Sequence, residues 1–196
     1  DGNFHGRTST VISFSSDPSA KNNFGPYTPG FISIPFNDTA ALAKALEDKN
    51  VAGFLVEPIQ GEAGVIVPDE GYLSKAKGLC EAANVLFIAD EIQTGLARTG
   101  KMLACDHENV RPDILILGKA LGGGMLPVSA VLCDDEIMST IKPGEHGSTY
   151  GGNPLACKVA MTALQVLIDE KMAASAAAMG ELLRDELNAL QSKHIE

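Results

Sequence analysis

The stretch Val85–Gly95, which reads VLFIADEIQTG, decides the fold because it joins an apolar run to a polar segment that ends in glycine. An uninterrupted apolar run of this length is typical of a strand that is buried on both faces of a parallel sheet. Two similar runs, at Val51–Val56 and Ile114–Leu117, also end in polar residues and glycines. The three runs predict neighbouring strands that carry polar groups at their carboxyl ends.

The sequence around these strands predicts alternating helices and strands. Asp38 or Thr39 is expected to cap a short helix that continues through Leu46. Asn153 is expected to cap a long helix that continues to about Lys171. Further helices are expected at 72–83 and 173–191, and further strands at 10–14, 31–35 and 128–132. Alternation of this kind indicates βαβ units. The predicted fold class is therefore α/β, with three layers in which helices flank a mainly parallel β-sheet.

The composition is that of an ordinary globular domain and excludes several partners. Of the 196 residues, 45% are apolar, and the formal net charge is −10. A net-acidic chain binds polyanions poorly, so we expect no nucleic acid and no anionic membrane as partner. No apolar run approaches the ~18 residues of a membrane span. Aromatic residues are 5% of the chain and tryptophan is absent, which disfavours a surface for base stacking.

The cysteines and histidines show no metal-binding spacing. They are scattered singly, without a C-x-x-C pair or an H-E-x-x-H motif, so we expect no metal site. Free thiols are typical of a reducing compartment. The expected location is therefore the cytoplasm, or the mitochondrial matrix if the protein is eukaryotic. The residues concerned are Cys80, Cys105, Cys133, Cys157, His5, His107, His146 and His194.

One edge of the predicted sheet collects the residues that can carry chemistry. Glu57 and Glu62 follow the first apolar run, Asp90 and Gln93 follow the second, and Lys119 follows the third. Ligands of such sheets bind beyond the carboxyl ends of the strands. A lysine enclosed there can lose its proton and attack carbonyl groups. A lysine with an aspartate that can pair with a pyridinium nitrogen fits the cofactor pyridoxal 5'-phosphate.

Other ligand-binding motifs fit poorly. Gly118-Lys119-Ala120 does not match the G-x-x-x-x-G-K-[ST] phosphate loop, and neither G-x-G-x-x-G nor G-x-S-x-G occurs. A nucleotide-binding or purely dimerising module is the alternative that is not an enzyme, and it would need a phosphate loop that this sequence lacks.

Five motifs in one unbroken order carry a resemblance to a known family. They are NFHGRT at 3–8, VEPIQGEAG at 56–64, LFIADEIQTG at 86–95, LGKALGGG at 117–124 and GSTYGGNP at 147–154. With them the chain resembles the large, cofactor-binding domain of the class III aminotransferases of fold type I. The resemblance covers residues 1–196 and implies that the helices of 153–196 lead toward a small domain. It also implies that the phosphate loop, the N-terminal segment and the small domain lie outside this chain.

The resemblance implies a role for each residue around the cofactor. Lys119 would hold pyridoxal phosphate covalently and then carry the proton that transamination moves. Asp90 would pair with the ring nitrogen, and Gln93 would hydrogen-bond the ring's phenolic oxygen. Phe4 would stack on one face of the ring, and Ile92 would pack against the other.

Further residues would serve the substrates and a second subunit. Ser148 and Thr149 would reach the phosphate of the neighbouring subunit's cofactor, which implies a homodimer with shared active sites. Arg7 would hold the α-carboxylate of the substrate, a role that suits the planar guanidinium. Glu62 would pair with an arginine of the small domain, and His5 would lie near the substrate.

The implied reaction transfers the δ-amino group of ornithine to 2-oxoglutarate, giving glutamate 5-semialdehyde and glutamate. The stretches 61–64 and 87–95 favour ornithine, while acetylornithine or another ω-amino donor is the alternative within the family. Glu57 is expected only to brace the turn at Pro58, and His107 and His146 are expected to lie at the surface or in loops.

Overall fold

A computed structural model describes residues 1–192 of the chain. Its four strands are β1 (Gly53–Val56), β2 (Leu86–Asp90), β3 (Ile114–Leu117) and β4 (Ala130–Cys133). Its helices are α1 (Ser9–Ile12), α2 (Pro18–Lys21), α3 (Thr39–Ala45), α4 (Tyr72–Ala83), α5 (Asp135–Met138), α6 (Pro154–Asp169) and α7 (Met172–Ala189). Single 3₁₀ turns cover Ala104–His107 and Lys119–Gly122. His194 and the end of the predicted segment 153–196 lie outside the described residues.

The strands form one sheet in the order β1-β2-β3-β4. The β1–β2 and β2–β3 pairs are parallel, and β4 runs antiparallel to β3. Val56 is paired with Ala89, and Asp90 with Ile116, so the carboxyl ends of the three parallel strands lie side by side. A mixed sheet flanked by helices confirms the predicted α/β class and puts the polar strand ends at one edge.

Helices α3 and α6 begin directly after the capping residues that the sequence predicted. Asp38 accepts the amides of Ala40 and Ala41 at the start of α3, and Asn153 accepts the amide of Ala156 at the start of α6. Each cap satisfies amides that have no partner inside the helix. Helix α4 matches the predicted bounds 72–83. No described helix is long and apolar enough to cross a membrane.

The main core lies between β1, β2 and helices α3 and α4. Phe87 and Ala89 of β2 are fully buried against α3 and α4, which contribute Leu42, Ala76 and Cys80. A second cluster joins Leu96, Leu117 and Leu121 to the apolar side of α6. The two clusters fix β2 and β3, and therefore fix the loops that follow them.

Two predicted strands are wrong. Residues 10–14 form no strand, because Thr8 caps the short helix α1 by accepting the Val11 amide, and the Ser13 hydroxyl donates to the Ser9 carbonyl. These local hydrogen bonds outweigh the β propensity of the sequence. Residues 31–35 run without regular structure and pair with no described strand, and Pro35 has no amide to offer a sheet.

Candidate active site

A cavity of about 140 Å³ opens at the carboxyl edge of the sheet. Its size is close to that of a cavity that takes up a benzene ring, about 150 Å³. The lining contains six of the ten residues predicted for the site, together with Gly6 and Glu57. The six are Phe4, His5, Asp90, Ile92, Gln93 and Lys119. Residues from three strand ends and from the start of the chain therefore meet in one space.

Asp90 is the most firmly held group of this cavity. It ends β2, is only 5% exposed, and accepts the Ile92 amide at 3.0 Å through Oδ1. Its Oδ2 lies 2.7 Å from Nδ1 of His5. Because an ionised carboxylate only accepts hydrogen bonds, the imidazole nitrogen is the donor in this pair. Both oxygens of Asp90 are thus oriented before any ligand binds.

His5 lies against Asp90, with its side chain 5% exposed. Its ring also packs on Phe14, with the ring centroids 5.9 Å apart. The sequence predicted a place near the substrate for His5 and gave no sign of the bond to Asp90. A contact between His5 and the substrate stays a prediction.

Lys119 follows β3 in a strained backbone conformation. Its φ is +43°, in the left-handed region that costs a residue other than glycine about 1–3 kcal/mol. Such strain persists where the surrounding structure enforces it, often at functional sites. The side chain lines the cavity but is exposed. The expectation of an enclosed lysine is therefore wrong for the described part of the chain.

Gln93 reaches the cavity because residue 61 is a glycine. A Cβ atom on Gly61 would lie 1.6 Å from Oε1 of Gln93, so any other residue there would displace the amide. Nε2 of Gln93 donates to Oε1 of Glu62 at 2.8 Å. Glu62 thus reaches the site through Gln93, although it does not line the cavity.

Arg7, Ser148 and Thr149 lie outside the cavity lining within residues 1–192. The guanidinium carbon of exposed Arg7 stands 5.7 Å from the ring centroid of Phe4, next to the cavity. Ser148 and Thr149 belong to an exposed loop, in which the Ser148 hydroxyl accepts the Gly151 amide at 2.8 Å. Their predicted contact with a neighbouring subunit stays a prediction.

Glu57 is the cavity residue that the sequence analysis left out. It is 6% exposed, and its Oε2 accepts the Phe4 amide at 2.9 Å. Burial raises the pKa of its carboxyl group, although hydrogen bonds from the Phe4 and Gly61 amides oppose that shift. The prediction that Glu57 only braces a turn is therefore incomplete. Glu57 directly follows β1, and Asp90 is the last residue of β2, so their similar places at the strand ends could have identified Glu57.

Glu91 is a third buried acid, after Asp90 and Glu57, and it does not belong to the described cavity lining. It is 1% exposed and accepts the Thr94 hydroxyl and the amides of Ala104 and Cys105. Burial raises the pKa of the Cys105 thiol, which disfavours the thiolate form. Glu91 therefore ties the loop after β2 to the 3₁₀ turn at 104–107.

A larger cavity of about 700 Å³ lies beside the edge strand β1. It shares His5 and Glu57 with the smaller cavity, but neither Asp90 nor Lys119 belongs to its described lining. Residues 1–192 hold no cluster of three or more His, Cys, Asp or Glu side chains that could bind a metal. The smaller cavity is therefore the candidate active site.

Comparisons with known proteins point to one family. The family model "Aminotransferase class-III" matches residues 1–196. The chain is 66% identical over 191 residues to the mitochondrial ornithine aminotransferase of Rattus norvegicus, covering 97% of this chain and 44% of that protein. A solved ornithine aminotransferase of Toxoplasma gondii, described with partial occupancy of PLP at its active site, has a TM-score of 0.95 and 56% identity over 96% of this chain and 44% of its own.

A solved acetylornithine aminotransferase of Elizabethkingia anophelis is also similar. It has a TM-score of 0.81 and 64% identity, and the match covers 83% of this chain and 43% of that one. The chain thus spans less than half the length of these relatives. Since the family model matches throughout, and four of the five motifs line the candidate cavity, the chain belongs to the class III aminotransferases.

Proposed function

We propose that the protein containing this chain is a pyridoxal-phosphate-dependent aminotransferase that acts on ornithine and 2-oxoglutarate. The observation that carries the proposal is the meeting of Lys119, Asp90 and Gln93 in one ring-sized cavity that Phe4 and Ile92 also line. An amine and a carboxylate for the pyridinium nitrogen are the groups that hold a pyridoxal cofactor, and a carboxamide and two apolar side chains line the same cavity. When bound, the cofactor supplies an electron sink for carbanion chemistry.

Each residue of this chain then has a definite task. The two hydrogen bonds of Asp90 fix its carboxylate, which would keep the ring nitrogen protonated. Lys119 would hold the cofactor through its amine and, once displaced, move a proton on the substrate. Gln93 has a second amide hydrogen besides the one that binds Glu62, and it would donate this hydrogen to the phenolic oxygen.

For the amino donor we propose ornithine, with acetylornithine as the second candidate. Ornithine is in the names of the rat and Toxoplasma relatives, and acetylornithine is in the name of the Elizabethkingia relative. The exposed guanidinium of Arg7 beside Phe4 would bind the α-carboxylate that both donors share. The test compares kcat/KM of the full-length protein for the two donors with 2-oxoglutarate as acceptor. Higher kcat/KM for N-acetylornithine would overturn the choice of ornithine.

We further propose that the active protein is a homodimer with shared sites. The described cavity lining contains no hydroxyl side chain for a phosphate group, whereas Ser148 and Thr149 stand on an exposed loop. Two inactive variants, one with Lys119→Ala and one with both hydroxyls replaced by alanine, should restore one working site when combined in a mixed dimer. Mixed dimers as inactive as their parents would place the hydroxyls in their own chain's site and contradict sharing.

The relatives include mitochondrial and bacterial enzymes. For this protein we propose a reducing compartment, the mitochondrial matrix or the cytoplasm, because all four cysteines are free. Fractionation of the source cells tests this location.

A further inference from the structure

We propose that Glu57 is a positioning residue that acts through His5: its carboxylate holds the Phe4 amide and thereby keeps the His5 imidazole on Asp90. The inference deepens the proposed function, because Asp90 is the residue assigned to the ring nitrogen. No residue of the chain other than His5 donates a side-chain hydrogen bond to Asp90 in the described structure. The orientation of that carboxylate therefore depends on where His5 stands.

The backbone around His5 needs an anchor. Residues 1–8 have no regular structure, and Gly6, directly after His5, has a φ of +117°. The bond from the Phe4 amide to Oε2 of Glu57, 2.9 Å long, joins this segment to the end of β1 across 53 positions of sequence. It is formed by the amide of Phe4, the residue before His5, so it constrains the imidazole more directly than a contact further along the chain.

The burial of Glu57 argues that its position matters. A carboxylate buried to 6% exposure costs free energy unless its hydrogen bonds compensate it, and burial raises its pKa accordingly. An apolar side chain would fill the same space without that cost but could not accept the Phe4 amide. The acid is therefore best explained by the amide hydrogen bonds that it accepts from Phe4 and Gly61, of which only the Phe4 bond reaches the segment that carries His5.

The first test measures the His5–Asp90 bond in the cofactor-free, full-length protein. Selective nitrogen-15 labelling of histidine reports how fast the Nδ1 proton of His5 exchanges with water. Glu57→Ala should speed this exchange roughly tenfold, the effect of losing one hydrogen bond, while Glu57→Gln keeps an acceptor and should restore slow exchange. An unchanged exchange rate in Glu57→Ala would overturn the proposal.

Glu108 offers a matched control. Its Oε2 accepts the Ser74 amide at 2.8 Å, which is the same kind of bond at a distant place in the fold. Glu108→Ala should leave the His5 proton unchanged, so a general loosening of the protein can be distinguished from a local effect. If Glu108→Ala speeds the exchange as much as Glu57→Ala does, the role of Glu57 is merely structural and the proposal fails.

The second test is a double-mutant comparison on the loaded enzyme. Glu57→Ala should lower kcat roughly tenfold when His5 is present and should not lower it further in the His5→Phe background. Equal losses in both backgrounds would show that Glu57 acts independently of His5. If the full-length protein did not transaminate ornithine, the proposed function would be contradicted. The proton-exchange measurement needs no activity, so it would still test the role of Glu57.

Discussion

Two aspartates at opposite ends of the β2–β3 pair have the same number of partners but different surroundings. Asp113, just before β3, accepts the Lys77 ammonium and the Phe87 amide, both at 2.7 Å. Asp90, at the end of β2, accepts the His5 imidazole and the Ile92 amide. Asp113 is thus bound to an ammonium group, whereas Asp90 is held by an imidazole ring and lines a cavity.

The difference separates a structural carboxylate from one available for chemistry. Burial alone would raise the pKa of Asp113, but the hydrogen bonds from Lys77 and the Phe87 amide lower it. An ammonium group at hydrogen-bond distance compensates the charge of Asp113, and Asp113 belongs to the described lining of neither cavity. Asp90 is oriented by the His5 imidazole and the Ile92 amide, and it lines a cavity together with Lys119. The two ends of the pair should therefore respond differently to substitution.

Substitutions of Lys119, near Asp90, and of Lys77, which binds Asp113, should differ most in their effect on kcat. Lys119→Ala should lower kcat by at least about 10⁴-fold, because it removes both the covalent anchor and the proton carrier. The variant should still bind pyridoxal phosphate non-covalently. Lys77→Met should retain turnover and lose stability instead. Steady-state kinetics and urea unfolding distinguish the two, and turnover by Lys119→Ala would remove it from the site.

The aspartates themselves come next. Asp90→Asn should lower kcat by about 10²–10⁴-fold, because an amide would not keep the ring nitrogen protonated. Asp113→Asn should keep near-normal kcat and reduce the free energy of unfolding by about 1–3 kcal/mol, since it breaks a hydrogen-bonded ion pair. If the two variants lost similar activity, the proposed division between the two ends would be wrong.

Arg7 and Arg111 are both exposed arginines, but Arg7 lies beside Phe4 of the cavity and Arg111 lies near Asp113. Arg7→Ala should weaken substrate binding by about 2–5 kcal/mol, measured as a higher KM for ornithine with unchanged cofactor affinity. Arg111 binds Asp134 at the surface, so Arg111→Ala should change stability by less than about 1 kcal/mol and leave KM unchanged. An Arg7→Ala enzyme with normal KM but lower stability would indicate a structural role.

The pH dependence of stability gives the smallest effect. The pKa of Asp113 is lower in the folded state than in the unfolded state. Asp113 therefore stabilises the fold at a pH above its unfolded-state pKa, and this stabilisation is lost as the pH falls through its folded-state pKa. The pKa of Glu57 is higher in the folded state than in the unfolded state. Its contribution to the free energy of unfolding is therefore present at low pH and is lost as the pH rises through its folded-state pKa. Urea midpoints between about pH 2 and 7 should fall less steeply with acid for Asp113→Asn and more steeply for Glu57→Gln.

The sequence predicted the elements that carry strong local signals. Helix α4 and strand β3 match their predicted bounds, because a regular apolar pattern and clear end residues define them. The strand predicted at 10–14 is wrong because a run of β-branched residues favours a strand only when a partner strand exists. The sequence alone did not show that Thr8 and Ser13 would satisfy the backbone locally.

The sequence predicted the candidate site as a set of residues at strand ends. The contacts between residues distant in the sequence became visible only in the structure. Asp90, Gln93 and Lys119 meet because parallel strands end at one edge, which periodicity indicates. The bonds from His5 to Asp90 and from Phe4 to Glu57 join residues more than 50 positions apart, and no spacing rule encodes them. The exposure of Lys119 likewise depends on what surrounds it in space.

The central claim is that Lys119 is the residue that holds the cofactor, and one measurement tests it directly. The purified full-length protein is loaded with pyridoxal phosphate, reduced with sodium borohydride, digested and analysed by peptide mass spectrometry. The account predicts a pyridoxyl group on the peptide that contains Lys119, with yellow absorbance lost on reduction. A stable modification on another lysine, or none at all, would contradict it.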